Sequence, residues 1–431
     1  MPQLDAPPSL EEIRETRAKF PPDLVRVTPL TLHPRLSETH GTDVYLKDER
    51  AQPVRSYKIR GAFAKMLALS EEQRSAGVVC ASAGNHAQGV AAACNYFRSQ
   101  GRIFMPTTTP PQKIAATQRH GNGFVEIVLT GDTFDITAQE ALQYVQEHSA
   151  TFIHPFNDAD VMRGQATVGL EIWDQMQSMR KQLSTVVVPV GGGGLVAGTS
   201  HMLEMDDDLE IVGVEPDGAA SMAASIAAGR PVRLEEMDTF ADGAAASPGD
   251  LTYARVEQAI QTGRLRLMSV SKNLLCATMA DLLQLDGELT EPAGALSIAA
   301  LPHITATSKR GPIVCVVSGN NFDMHRMPKV LEHAALHRRQ KAYLNVYLPD
   351  RPTALLELLE AVRSKLAGIN ITYMHFDEDQ DNGNSPLSIG IASKTGRRED
   401  IEDFLALLGQ QTDDQGENRY SYTEVRSKPS T

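Results

Sequence analysis

A lysine sits at the centre of PVRSYKIRGA (53–62), among Ser56, Tyr57, Arg60 and Gly61. On a solvated helix face Lys58 would do nothing. Relieved of its proton, it is a nucleophile that condenses with carbonyl groups. Which applies depends on what the chain sets beside it. The strongest companion is VVVPVGGGGLVAGTS (186–200), where apolar and β-branched residues lead into Gly191, Gly192, Gly193 and Gly194 and then into a helix. Four glycines bare consecutive backbone N–H groups at a helix N-terminus, where the helix dipole favours negative charge. The stretch reads as a phosphate cradle. It lacks the Lys–Ser/Thr pair of a P-loop. Gly192-x-Gly194-x-x-Ala197 does fit a dinucleotide fingerprint, with Glu215 about 20 residues on, where a ribose-binding acid belongs. A merely flexible turn would cost conformational entropy with nothing gained.

Two further stretches carry polar residues at strand ends. In CASAGNHAQGVA (80–91), Ser82, Gly84 and Asn85 open a helix and can present N–H groups and short side chains to a carboxylate or hydroxyl. A plain helix cap also accounts for Ser82 or Asn85 taken singly, and His86 alone reads as packed or capping. In VCVVSGNN (314–321), Ser318 follows a buried strand, either as a turn residue or as a hydrogen-bond partner for a ring nitrogen. Together these stretches place a lysine, an anion cradle, a small polar loop and a serine at the C-terminal ends of strands. Open α/β sheets bind their ligands there.

Positioning these residues calls for alternating strands and helices. Short β-branched runs predict strands at 43–48, 77–82, 101–106, 125–130, 185–190, 210–215, 265–270 and 312–318. Amphipathic patterns predict helices at 85–98, 112–120, 132–148, 158–178 and 194–204. Continuous apolar strands alternating with helices indicate parallel sheets covered on both faces. After about 336 the pattern changes to β-α-β-β-α, the order of a ferredoxin-like α+β module. The expected domains are 1–336 and 337–431, and the SKPST end is expected to fray.

Composition narrows the function classes. The chain has 431 residues, enough for two or three domains, and 41 basic against 54 acidic side chains give a net charge of −13. An acidic chain without a stacking motif points away from nucleic acid. No apolar run approaches the roughly 18–20 residues of a membrane span, and the N-terminus is Pro-rich and acidic where a signal peptide would be apolar. A cytoplasmic protein without a membrane partner is expected. Cys80, Cys94, Cys276 and Cys315 are scattered without a C-x-x-C pair, so they read as small buried thiols, and an iron–sulfur cluster is not expected.

The ordered set KDERAQPVRSYKIRGA (47–62), SAGNHAQGVA (82–91), PVGGGGLVAG (189–198), VGVEPDGAASM (212–222), FADGAAA (240–246), TEPAGALS (290–297) and VVSGNN (316–321) resembles the pyridoxal-phosphate-dependent threonine dehydratases of the tryptophan-synthase-β fold type. The resemblance runs over about 15–330. The tail, 337–425, resembles the single ACT-like regulatory domain of the short biosynthetic forms. It implies two α/β subdomains with mostly parallel sheets, followed by an ACT-like domain.

The resemblance also implies roles. Lys58 would form a Schiff base with the cofactor aldehyde, and Tyr57 would lie near the ring. Gly191, Gly192, Gly193, Gly194 and the Leu195 amide would hold the phosphate. Asn85 would meet the ring hydroxyl and Ser318 the pyridine nitrogen, while Ser82, Gly84 and His86 would line the substrate-carboxylate loop. The implied reaction is deamination of L-threonine to 2-oxobutanoate and ammonia by β-elimination, the first step of isoleucine biosynthesis, with L-serine as a secondary substrate. Related racemases carry a cation site built on a glutamate and an aspartate six residues later. Here Ser221 follows Glu215 at that spacing, so no metal is implied. Thr353 stands where ACT motifs usually place glycine. An amino-acid effector, isoleucine or valine, at the C-terminal domain and a homotetramer complete the expectation. A serine or hydroxyaspartate dehydratase, a racemase, a nicotinamide-dependent oxidoreductase and a sensor with a vestigial enzyme core are the rivals.

Overall fold

Residues 185–189, TVVVP, are buried at every position. A strand with no polar side must be covered on both faces, and helices do this for two parallel sheets. The computed structural model describes residues 7–203, 208–304, 311–349, 353–376, 384–411 and 420–425. It divides into two compact units, Met1–Leu275 with Leu282–Asp323, and Cys276–Asp281 with Met324–Thr431.

Among the described residues the first unit holds ten strands: β1 (Leu30–Leu32), β2 (Val44–Asp48), β3 (Val78–Ala81), β4 (Gly101–Met105), β5 (Val125–Leu129), β6 (Thr151–Phe152), β7 (Thr185–Pro189), β8 (Glu210–Pro216), β9 (Leu265–Val270) and β10 (Ile313–Val317). The larger sheet runs β1-β2-β10-β7-β8-β9, the smaller β5-β4-β3-β6. All pairings are parallel except that of β1 with β2. Every strand expected between 43 and 318 forms, its ends within one residue of expectation. β1 and β6 were not expected. They are three and two residues long, too short for a period-two pattern to register.

Each sheet has its own core. Val186, Val188, Val314, Val316 and Ile211 pack with Ile172 and Leu203 from the helices Ala159–Ser178 and Gly194–Leu203. Val78, Cys80, Ile103 and Met105 pack with Ile59 and Phe63 of the helix Lys58–Ala68 and with Val90, Ala91 and Cys94 of the helix Asn85–Phe97. All four cysteines are buried free thiols. No helix among the described residues is long and apolar enough to cross a membrane.

The second unit carries an antiparallel sheet of β11 (Lys341–Pro349), β12 (Ile369–Phe376), β13 (Asn384–Ser393) and β14 (Ser421–Val425), in the order β12-β13-β11-β14. Leu344, Val346, Ile389 and Ile391 meet Leu358 of the helix Ala354–Ala361 and Ile401, Phe404 and Leu408 of the helix Arg398–Gly409. The expected β-α-β-β-α order is extended by β14, which pairs with β11 and completes a ferredoxin-like βαββαβ unit. β14 is mostly exposed, so no apolar alternation announced it. The helix Met327–His337 belongs to this unit, where Ala334 packs with Ala277 and Ala280. Thr353, at the start of the helix Ala354–Ala361, has φ +78°, a left-handed conformation that favours glycine. The SKPST end lies outside the described residues.

Candidate active site

The helix Lys58–Ala68 begins at the lysine itself, and glycines let its neighbours close on that first turn. A Cβ on Gly89 would lie 3.2 Å from the Lys58 carbonyl, and one on Gly164 would lie 2.4 Å from the Arg60 carbonyl. Arg60, fully buried, forks between Glu49 and Glu171 with four contacts of 2.8 Å. Glu171 also takes Lys47 at 2.8 Å and Arg17 at 2.7 Å. The turn that carries Lys58 is therefore anchored from below by a paired, hydrogen-bonded charge cluster.

Lys58 Nζ donates to the Pro155 carbonyl at 2.9 Å and lies 5.3 Å from the Tyr57 ring centre. Burial pushes its ammonium down to about 8, against the opposing pull of Glu291. The Tyr57 N–H donates to the Ser318 carbonyl at 3.1 Å, the Asn320 N–H to the Arg55 carbonyl at 3.0 Å, and Ser56 bridges to Gly319. These bonds tie the end of β10 to the lysine turn. Ser318 is 3% exposed.

The glycine loop is shaped by what it touches. A Cβ on Gly191 would lie 2.8 Å from Ala244 Cα, one on Gly192 2.5 Å from the Phe156 ring, and one on Gly194 2.8 Å from Phe156 Cβ. Gly193 has φ +89°. The loop runs from β7 into the helix Gly194–Leu203, whose first N–H groups have no intrahelical partner.

Of the small polar loop, Ser82 Oγ accepts from the Gly84 N–H at 3.2 Å and shapes the turn before the helix Asn85–Phe97. Asn85 Nδ2 donates to Glu291 at 2.6 Å, and Asn85 Oδ1 accepts from Asn321 Nδ2 at 2.6 Å. His86 is buried, with Nε2 2.8 Å from the Ile153 carbonyl, and burial pushes its imidazolium down to about 3. Its ring points inward, to packing.

Glu215 does not serve as a ribose-binding acid. It is 1% exposed, and its two oxygens accept from the Met222 and Ala223 N–H groups at 2.7 and 2.9 Å. It caps the helix Ser221–Ala228. Among the described residues no three His, Cys, Asp or Glu side chains are placed to hold a metal ion.

The family model for pyridoxal-phosphate dependent enzymes matches residues 22–319. The chain is 42% identical over 375 residues to a biosynthetic L-threonine dehydratase of Corynebacterium glutamicum, covering 86% of this chain and 85% of that one. It is 42% identical over 389 residues to the Lactococcus lactis protein of the same name, covering 89% and 90%. The solved threonine deaminase isoform 2 of Solanum lycopersicum superposes with a TM-score of 0.68 at 36% identity, over 77% of this chain and 96% of that one. The chain belongs to the pyridoxal-phosphate-dependent threonine dehydratases.

The dehydratase has the expected tryptophan-synthase-β-like fold, and its residues fit the family's cofactor. A buried amine with a depressed pKa suits condensation with an aldehyde, and the glycine loop at a helix N-terminus suits a phosphate dianion. The Ser318 hydroxyl, just past the end of β10, suits a ring nitrogen.

Two features of the dehydratase site escaped sequence reasoning. The first is HPFND (154–158). His154 Nδ1 accepts from the Phe156 and Asn157 N–H groups at 3.2 and 2.8 Å, folding the turn that offers the Pro155 carbonyl to Lys58. Phe156 backs the glycine loop, and Asn157 Oδ1 accepts from the Leu251 N–H at 2.9 Å, at the start of the helix Asp250–Gln261. The second is Glu291, 4% exposed and in contact with Asn85. It lies in TEPAGALS, a stretch matched to the family without a role. An acid just before an apolar helix was the available signal.

Proposed function

We propose that this dehydratase converts L-threonine to 2-oxobutanoate and ammonia, the entry step of isoleucine biosynthesis, and accepts L-serine as a second substrate. The observation that carries the reading is Lys58, an amine with a depressed pKa that bonds the Pro155 carbonyl beside Phe156, the residue that backs the glycine loop, on a turn tied to Ser318 and Asn320. Bound pyridoxal phosphate supplies an aldehyde for the substrate amine and an electron sink for its α-carbon. Gly191, Gly192, Gly193, Gly194 and the Leu195 N–H hold the phosphate. Tyr57 would lie near the ring, the Asn85 amide would meet the ring hydroxyl, and Ser318 would meet the ring nitrogen.

Lys58 Nζ would be the base that takes the substrate's α-proton. The pKa of about 8 leaves an appreciable fraction of the free amine unprotonated near neutrality. Ser82, Gly84 and the His86 N–H orient the substrate carboxylate at the start of the helix Asn85–Phe97, where the dipole favours an anion. Ser318 is a neutral partner for the ring nitrogen. A hydroxyl there would not force a proton onto that nitrogen.

Residues 337–431 form the regulatory domain in this reading. It binds isoleucine or valine, the chain assembles as a homotetramer, and it works in the cytoplasm. An antiparallel βαββαβ unit that the chemistry does not need supports the regulatory role. The test is 2-oxobutanoate release from L-threonine by purified protein, with and without isoleucine. Turnover suppressed by isoleucine supports both parts. A yellow, cofactor-loaded protein that leaves threonine unchanged overturns the substrate assignment, and L-serine and hydroxyaspartate are then assayed.

A further inference from the structure

Glu291 immediately precedes the helix Pro292–Ala299, and its carboxyl meets only N–H donors in the described structure. Oε1 accepts from Asn85 Nδ2 at 2.6 Å, and Oε2 accepts from the Asn321 backbone N–H at 3.0 Å. The other end of the Asn85 amide is also fixed. Its Oδ1 accepts from Asn321 Nδ2 at 2.6 Å, and that amine donates to the Val54 carbonyl at 2.9 Å. An asparagine amide can turn over without changing its shape, so its neighbours decide which end faces where. A carboxylate accepts and cannot donate. Opposite Glu291, Asn85 must present its amine, and one N–H of that amine remains for a ligand.

The surroundings leave the carboxyl little freedom. A Cβ on Gly319 would lie 2.3 Å from Glu291 Oε1, and one on Gly243 would lie 3.7 Å from it. The SGNN turn and the FADGAA turn therefore close around one acid.

We propose that Glu291 is a positioning residue, whose ionised carboxylate sets the orientation of the Asn85 amide and so the N–H that Asn85 offers to the hydroxyl of the cofactor ring. The proposal rests on the reading of Asn85 given above. Asp242 and Lys113, paired at 2.7 Å, face the carboxyl from the 239–244 turn and the helix Pro111–Gly121, and Lys58 and Tyr57 face it from the lysine turn. Burial and Asp242 push the Glu291 carboxyl up to about 7, against Asn85, Lys113 and the Asn321 N–H. Acidification through that range protonates it. A protonated carboxyl offers one acceptor fewer to two donors, and its hold on the Asn85 amine weakens.

The experiment titrates apoprotein with pyridoxal phosphate and follows the visible band at pH 8, with thermal unfolding as the check on folding. Glu291→Gln is expected to bind the cofactor about tenfold more weakly than the unchanged protein, the size of one lost charge-assisted hydrogen bond. In an Asn85→Ala background the same substitution is expected to add nothing. A folded Glu291→Gln protein with unchanged affinity overturns the proposal, and so does an undiminished loss in the Asn85→Ala background. If Glu291→Gln does not fold, Asn85→Asp takes its place, since it sets two carboxylates together. Its loss of affinity relative to the unchanged protein should be greater at pH 8 than at pH 6, and equal losses overturn the proposal. Unchanged protein that takes up no pyridoxal phosphate overturns the reading of the site itself, and the proposal with it.

Discussion

At the scale of single residues, the site depends on two basic groups whose charged forms burial disfavours. Burial holds Lys58 down to about 8, so its nucleophilic fraction grows as pH rises toward that value. Uptake of pyridoxal phosphate by apoprotein should accelerate from pH 6 to 8 and level off above, as stopped-flow absorbance would record. Lys58→Ala should abolish the visible band and lower turnover by roughly a thousandfold or more. His86 is the second group. Its folded pKa of about 3 lies below its ordinary value of 6.5, so the unfolded chain binds more protons between the two. Its contribution to stability is complete above 6.5 and is lost as pH falls, at up to about 1.4 kcal/mol per pH unit. His86→Gln should flatten the fall in urea-unfolding free energy between pH 7.5 and 5.5. Asn85 and Ser318 stood out in the sequence as candidates because small and polar residues follow apolar strands there, and Lys58 because the SYKIRGA stretch resembles the family's motif. Glu291 did not, because its partner Asn85 lies 206 residues away and proximity at that distance leaves no local pattern.

At the scale of elements, the decisive contact is between a loop and a turn. The glycine loop was legible as an anion site, but the reason it needs glycine was not. A Cβ at Gly192 meets the Phe156 ring at 2.5 Å, and Phe156 reads in sequence as an ordinary apolar residue between two turn formers. Gly192→Ala should therefore displace the loop and weaken cofactor binding by at least about tenfold, because overpacking forces the backbone to shift. Phe156→Ala should restore part of that affinity in the double variant, a coupling that a double-mutant cycle of dissociation constants measures. Additive losses would mean that the glycine is needed for reasons other than the ring. Strand and helix limits followed closely from the periodicities. The short strands β1 and β6 and the exposed strand β14 did not, because pairing decided them where pattern could not.

At the scale of the whole molecule, the second unit draws Cys276–Asp281 from the middle of the chain, and Ala277 and Ala280 there pack with Ala334. A cut after Gln340 keeps that packing, whereas a cut after Asp323 exposes it. Protein ending at Gln340 should stay soluble, release 2-oxobutanoate at a rate within about threefold of the full chain, and lose any response to isoleucine. Loss of turnover in that folded protein would assign the tail a structural role in the active unit. The strand order β1-β2-β10-β7-β8-β9 has one more consequence. β10 lies between β2 and β7, yet it is the last strand of that sheet to be synthesised. Until about residue 317 has left the ribosome, the nascent chain holds two half-sheets with raw apolar edges turned toward the place of a strand not yet made. Ribosome-bound chains stalled before β10 should need a chaperone to stay soluble, and chains stalled after it should not.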